Sequence, residues 1–212
     1  ATVTVLVRAA GTGAERDSLA LVALYTATDG PSWTRSDNWL SGPVRTWYGV
    51  GVDGSGRVSS LNLERNRLAG PAPAELGGLA ELGTLALNAN QLTGPVPPEL
   101  GQLTNLQFLD LSLNQLTGSV PPELSLLSAL TYIDLSANQL TGPVPSELGQ
   151  LEDLELLYLG ANRLTGSVPP ELGQLVNLRG LFLELNQLTG MIPPELGQLA
   201  ILETLALSGN QL

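Results

Sequence analysis

Asp110 and Asp134 stand 24 residues apart, and a second acidic series, Glu75, Glu99, Glu123, Glu147, Glu171 and Glu195, keeps the same step. Paired carboxylates can do general acid–base work, and a row of them can gather cations. Few other chemistries are open to this chain. It has no Cys, no His and no Lys, and all nine of its basic residues are Arg. That excludes a cysteine nucleophile, a Ser-His-Asp triad, a His- or thiolate-ligated metal and a Schiff-base lysine. With no cleft, basic partner or supporting shell in view, Asp110 and Asp134 read as solvated side chains rather than a catalytic pair. Each Glu of the longer series falls where the start of a short helix favours an anion, a structural role. The expectation is a non-enzyme without cofactor or metal.

Composition narrows the partners. The 212 residues carry a net charge of −11, with 43% hydrophobic and 14% charged residues, enough apolar material to bury a core. An acidic chain is poorly suited to phosphate backbones or anionic lipid, so nucleic acid is not an expected partner. No apolar run approaches the ~20 residues of a membrane span, and the opening ATVTVLVRAAGTG lacks the apolar stretch of a signal peptide. The charge is also uneven. Residues 1–67 hold seven Arg against six acids, whereas residues 68–212 hold two Arg against fourteen acids, a balance that attracts cationic partners.

The elements that position these side chains are set by a repeat. Asn recurs at 66, 90, 114, 138, 162, 186 and 210, and around each the frame LxxLxxLxLxxNxLTGxVPPELGQL returns. In the LxL segment the period is two, so Leu109 and Leu111 point inward while Asp110 points out, as on a half-buried strand. Stacked copies predict a parallel sheet of seven strands extending ~29 Å. The Asn turns the chain off the sheet, where its amide can satisfy backbone groups outside any ladder. Gly four residues on permits a tight turn, and Pro-Pro-Glu-Leu suits the first turn of a short helical segment. Seven apolar positions per turn, each worth ~1.5–3 kcal/mol when buried, build a core that no single repeat could build alone.

This unit resembles the leucine-rich repeat family, in its plant-type class with the LTGxIP segment, over residues 15–212. The resemblance implies an α/β solenoid: a horseshoe or superhelix with a parallel sheet on the concave face and short 3-10 or helical segments on the convex face. It also implies a second short strand near Thr117–Val120. Residues 14–57 fall outside the repeat and are similar to the plant-type N-terminal cap. They hold a short amphipathic helix with Leu21, Leu24 and Tyr25 on one face and Asp17 as its expected N-cap, then Trp33, Asn38-Trp39, Trp47, Gly49-Val50, Asp53, Gly56 and Val58. Family caps carry Cys on either side of the W.GV segment; here Arg45 and Val52 stand there, so packing of Trp and Tyr must hold the cap. The organisation expected is a leader at 1–13, strand-like at Thr2–Val7 and without an assigned role, a cap at 14–57, and seven repeats over 58–212, the last one truncated at Leu212.

With the frame residues spent on packing, function falls to the outward positions of the strands. From Asn66 onward the array holds four aromatics, all at such positions: Phe108 and Tyr132 six residues before their Asn, Tyr158 and Phe182 four before theirs. On adjacent strands they form a diagonal stripe spanning ~14 Å, flanked by Asp110, Asp134, Glu155, Arg179 and Glu184. Aromatic anchors beside acids suit a protein or peptide ligand, a cationic one in particular, or a sugar face. The plainer reading has Phe108 and Tyr132 packing on their neighbours at the strand flank.

The expected function is a non-catalytic recognition module, part of a larger receptor or signalling protein, as the family resemblance implies. The alternatives are an inhibitor of a cell-wall polysaccharide hydrolase and an architectural spacer. The uncapped last repeat is expected to pack on further repeats or a second copy. Without Cys or an N-x-S/T sequon, a cytoplasmic location is at least as well supported as an extracellular one.

Overall fold

The computed structural model describes residues 12–212; the strand-like reading of residues 2–7 lies outside them. Each turn of the chain repeats three pieces. Around Asn114 these are a strand at Phe108–Asp110, a second strand at Gln115–Thr117 and a 3-10 turn at Pro122–Leu126. The first strand is short because only three residues of the frame alternate in and out before the chain must bend toward the Asn.

Seven such strands, Val58–Asn62, Thr84–Ala86, Phe108–Asp110, Tyr132–Asp134, Leu156–Tyr158, Gly180–Phe182 and Thr204–Ala206, pair in parallel in that order. The register steps by one repeat each time: Leu85 faces Leu109, and Leu109 faces Ile133. Equivalent side chains therefore stack on one another. The inward set of one turn, Leu106, Leu109, Leu111, Leu116, Val120, Leu124 and Leu127, is no more than 1% exposed. An eighth strand, Val50–Val52, joins antiparallel through the Asp53–Arg57 turn and belongs to the cap.

The asparagine amides close the bends. Asn114 Oδ1 accepts the Leu92 N–H of the preceding turn at 2.9 Å, and its Nδ2 donates to the carbonyls of Leu87, Leu111 and Ser112 at 3.0–3.1 Å. Asn138, Asn162 and Asn186 make the same set. The second strand lies slightly earlier than expected, at Gln115–Thr117 rather than near Thr117–Val120. Leu116 points into the core, and Gly118 at φ +78° ends the extended run.

In the cap, the helix runs Gly13–Ala27 and Leu21 and Leu24 are buried as read. Its N-cap is Thr12 rather than Asp17: Thr12 Oγ1 accepts the Glu15 N–H while the Glu15 carboxylate accepts the Thr12 N–H. Asp17 sits more than a turn further in and is buried, where it pairs with Arg57 at 2.8 Å and accepts the Val58 N–H. One side chain thus ties the helix to the first repeat strand. Trp33, Trp39 and Trp47 are buried against Tyr25 and one another, with ring centroids 4.8–5.7 Å apart. Each indole N–H reaches a carbonyl, of Thr28, Tyr48 and Ser41 respectively. Aromatic packing holds this cap without a disulfide.

Candidate functional site

Register decides which outward side chains meet. It sets Phe108 opposite Tyr132, and their rings stack 4.3 Å apart and 10° from parallel. It sets Tyr158 opposite Phe182, stacked at 4.2 Å and 8°. Between the pairs the ladder steps two residues along the strand, and Tyr132 meets Tyr158 at 5.5 Å with a 43° tilt. All four rings are partly exposed on the concave face and none enters the core. Gly180 makes room for the last rung: a Cβ there would lie 2.6 Å from the Phe182 ring. Because the two outer pairs stack face to face, most of what those rings offer a ligand is edges and hydroxyls.

The acids divide by column. Asp110 Oδ1 accepts both the Ser112 N–H at 3.0 Å and its Oγ–H at 2.7 Å. Asp134 Oδ1 accepts the Ser136 N–H at 2.8 Å, and Tyr132 donates its hydroxyl to Asp134 Oδ2 at 3.4 Å. The Ser112 and Ser136 bonds tie each carboxylate to the turn that follows its strand. Burial pushes the Asp110 carboxyl above its ordinary range; the Ser112 bonds oppose this, and the charges of Asp134 and Glu64 add to it. Burial likewise raises the Tyr132 and Tyr158 phenols, with Asp134 reinforcing both, so they stay protonated donors.

Glu155 and Arg179 belong to a different feature. They lie at the other edge of the strands, where Arg179 bridges Glu155 at 3.7 Å and Glu203 at 3.0 Å in an exposed row worth little to stability. Glu184 folds over Gly160, where a Cβ would meet its carboxylate at 2.7 Å, and its Oε2 is buried without a hydrogen-bond partner. The tertiary structure thus gathers Phe108, Asp110, Tyr132, Asp134, Tyr158 and Phe182 into one surface, with Glu184 at its edge. It leaves Glu155 and Arg179 in the separate ion row.

Several neighbours of this surface were not singled out in the sequence. Asn88 lies one strand from Asp110, and its Oδ1 is buried without a partner. Ser112 is 3% exposed beneath the Asp110 carboxylate. Both stand two residues before a frame Asn, an outward column also occupied by Glu64 and Glu184. That column position was the available signal. Among the described residues no group of three or more His, Cys, Asp or Glu could hold a metal ion, and no helix is long and apolar enough to cross a membrane.

The sequence matches a family model described as Leucine rich repeat over residues 153–212, and a second, described as Leucine Rich Repeat, over residues 105–127 and 129–151. No curated protein matches it. Among solved structures, it is similar to PEPR1 in the PEPR1–AtPEP1 complex, at 33% identity over 92% of this chain and 28% of that one, with a TM-score of 0.84. It is similar to the ectodomain of the Arabidopsis receptor kinase HAESA in complex with an IDA peptide hormone ligand, at 32% identity over 93% of this chain and 34% of that one, TM-score 0.83. A plant ice-binding protein is 32% identical over 92% of this chain and 71% of that one, again with a TM-score of 0.83. The chain therefore spans about a third or less of the PEPR1 and HAESA chains and most of the third protein.

Proposed function

The chain belongs to the leucine-rich repeat family, in its plant-type class, and from that premise we propose that it is a recognition module gripping a protein or peptide on its concave face. That family is a non-catalytic, ligand-binding fold type. Phe108, Tyr132, Tyr158 and Phe182 form the apolar anchor, and Asp110, Asp134 and Glu184 line it with negative charge. Glu155 and Arg179 sit at the rim, where mutual pairing leaves them to tune approach rather than affinity.

One observation carries the reading: four rings in unbroken contact on the surface of an array that holds no other aromatic side chain. Isolated exposed apolar residues are ordinary, but a contiguous aromatic row on a concave surface is what binding hot spots are made of. The similar HAESA ectodomain, solved with a peptide hormone ligand, supports the same ligand class. The acidic balance of the array favours cationic sequences.

A display library of random peptides selected on the wild-type chain tests this. Selected peptides are expected to bind a Tyr158→Ala, Phe182→Ala double variant about 30-fold more weakly or worse, the loss that marks a hot spot. Undiminished binding to a folded double variant removes the concave face as the site.

A further inference from the structure

Among the described residues no second ring stacks on the N-terminal side of Phe108, and the groups around that end of the ladder share a chemistry. Phe108 stacks on Tyr132 on one side only. On the other side the register places Thr84 opposite Phe108 and Ala86 opposite Asp110. Ala86, 4% exposed, is a methyl floor beside Asp110. Two acceptors overlook that floor. Asp110 has Oδ1 committed to Ser112, while its Oδ2 accepts no hydrogen bond within the described residues. Asn88 stands on the neighbouring turn, in line with Ser112, and its Oδ1 is shut off from solvent with no donor. A buried, unpaired amide oxygen is costly, and in a folded protein it marks a place where a donor belongs. Glu64, one turn further, adds negative charge felt at Asp110. Among the described residues, no Arg pairs with Asp110 or Glu64.

We infer that this corner, formed by Phe108, Asp110, Asn88 and Ala86 with Glu64 behind them, is a pocket for the guanidinium group of an arginine side chain on the ligand. The inference rests on the concave-face reading and specifies one contact within it. A guanidinium is planar, stacks on an aromatic face, and carries donors in a fixed fork able to serve two acceptors at once. Here the fork donates to Asp110 Oδ2, and its second donor reaches Asn88 Oδ1 on the adjacent turn once that amide rotates out of its buried position. An ammonium has the charge but not the plane, and a citrulline ureido group has the plane but not the charge.

The test is a titration of Nα-acetyl-arginine amide into the isotope-labelled 212-residue chain, followed by NMR, with the lysine and citrulline analogues in parallel. Arginine amide is expected to shift the Asn88 side-chain and Ser112 backbone signals. The two analogues are expected to bind at least about tenfold more weakly, as loss of a charge-assisted or stacked contact requires. Asp110→Asn, which keeps the shape and the Ser112 bonds, abolishes the response. Glu171→Gln, which removes an equal charge from the Pro170–Gln174 turn, leaves it intact. Equal responses to all three analogues, or arginine binding that survives Asp110→Asn, overturns the pocket. The display-selected peptides separate this from the broader reading. Peptides that need Tyr158 and Phe182 but bind Asp110→Asn normally overturn the pocket and leave the concave face. Arginine amide shifting Asn88 while peptides ignore Tyr158 and Phe182 supports the pocket and overturns the wider site.

Discussion

Asp110 shows how a single outward side chain can cost a fold stability. Its carboxyl titrates above the ordinary range, chiefly because it is half-buried. The folded state therefore binds more protons than the unfolded state between the ordinary carboxylate pKa and the raised one. Stability falls as pH rises through that window, and the penalty is complete above it. Asp110→Asn is expected to melt higher than wild type at pH 7 and to match it at pH 3, as thermal melts at both pH values would show. Solvent screening holds the gain to about 1 kcal/mol or less, a rise of up to about 4 °C for a chain of this size. A variant that is more stable yet blind to arginine is the expected signature of a binding residue. Outward projection of Asp110 is legible in the sequence, since it lies between two inward leucines. The burial of that outward carboxyl is not, because it comes from Phe108, Tyr132 and Ser112 arriving on the same and the adjoining strand.

At the scale of the element, the frame asparagine replaces a ladder that a bending chain cannot form. Asn138 serves four backbone groups: it accepts from Leu116 and donates to Leu111, Leu135 and Ser136. Asn138→Asp keeps the shape and the acceptor but loses the donors to three carbonyls. It is expected to cost at least about 3 kcal/mol, measured by urea unfolding, with Asn138→Ala similarly damaging. The bend has its own cost, because the residue before each Asn takes a left-handed conformation, with φ of +54° at Leu113 and +53° at Ala137. The amide network offsets it. The capping residue of the first helix was less legible. Asp17 reads as the start, but Arg57, forty residues away, holds it buried within the helix and Thr12 caps instead.

At the scale of the whole molecule, every turn depends on its neighbours for burial, so protection should follow position in the stack. Leu181 is fully buried, whereas its counterpart Leu205 in the last turn is 41% exposed. Backbone amide exchange is expected to be slowest across Tyr132–Asp134 and fastest across Thr204–Ala206; uniform protection along the array would contradict nearest-neighbour stacking. The 24-residue spacing determined the solenoid, its parallel sheet, its core and the outward placement of all nine candidate side chains, because a strict period leaves each leucine one geometric choice. Only the tertiary structure decided which outward groups touch. The front strands stack in register at 24 residues, while the second strands pair at 22, Thr93 opposite Gln115. Contacts between turns depend on such offsets and on the lean of individual rings, which local periodicity does not encode. That is why Phe108 and Tyr132, read equally well as flank packing, stack into one row with Tyr158 and Phe182. It is also why Asn88, unremarkable by type, becomes the acceptor left without a donor.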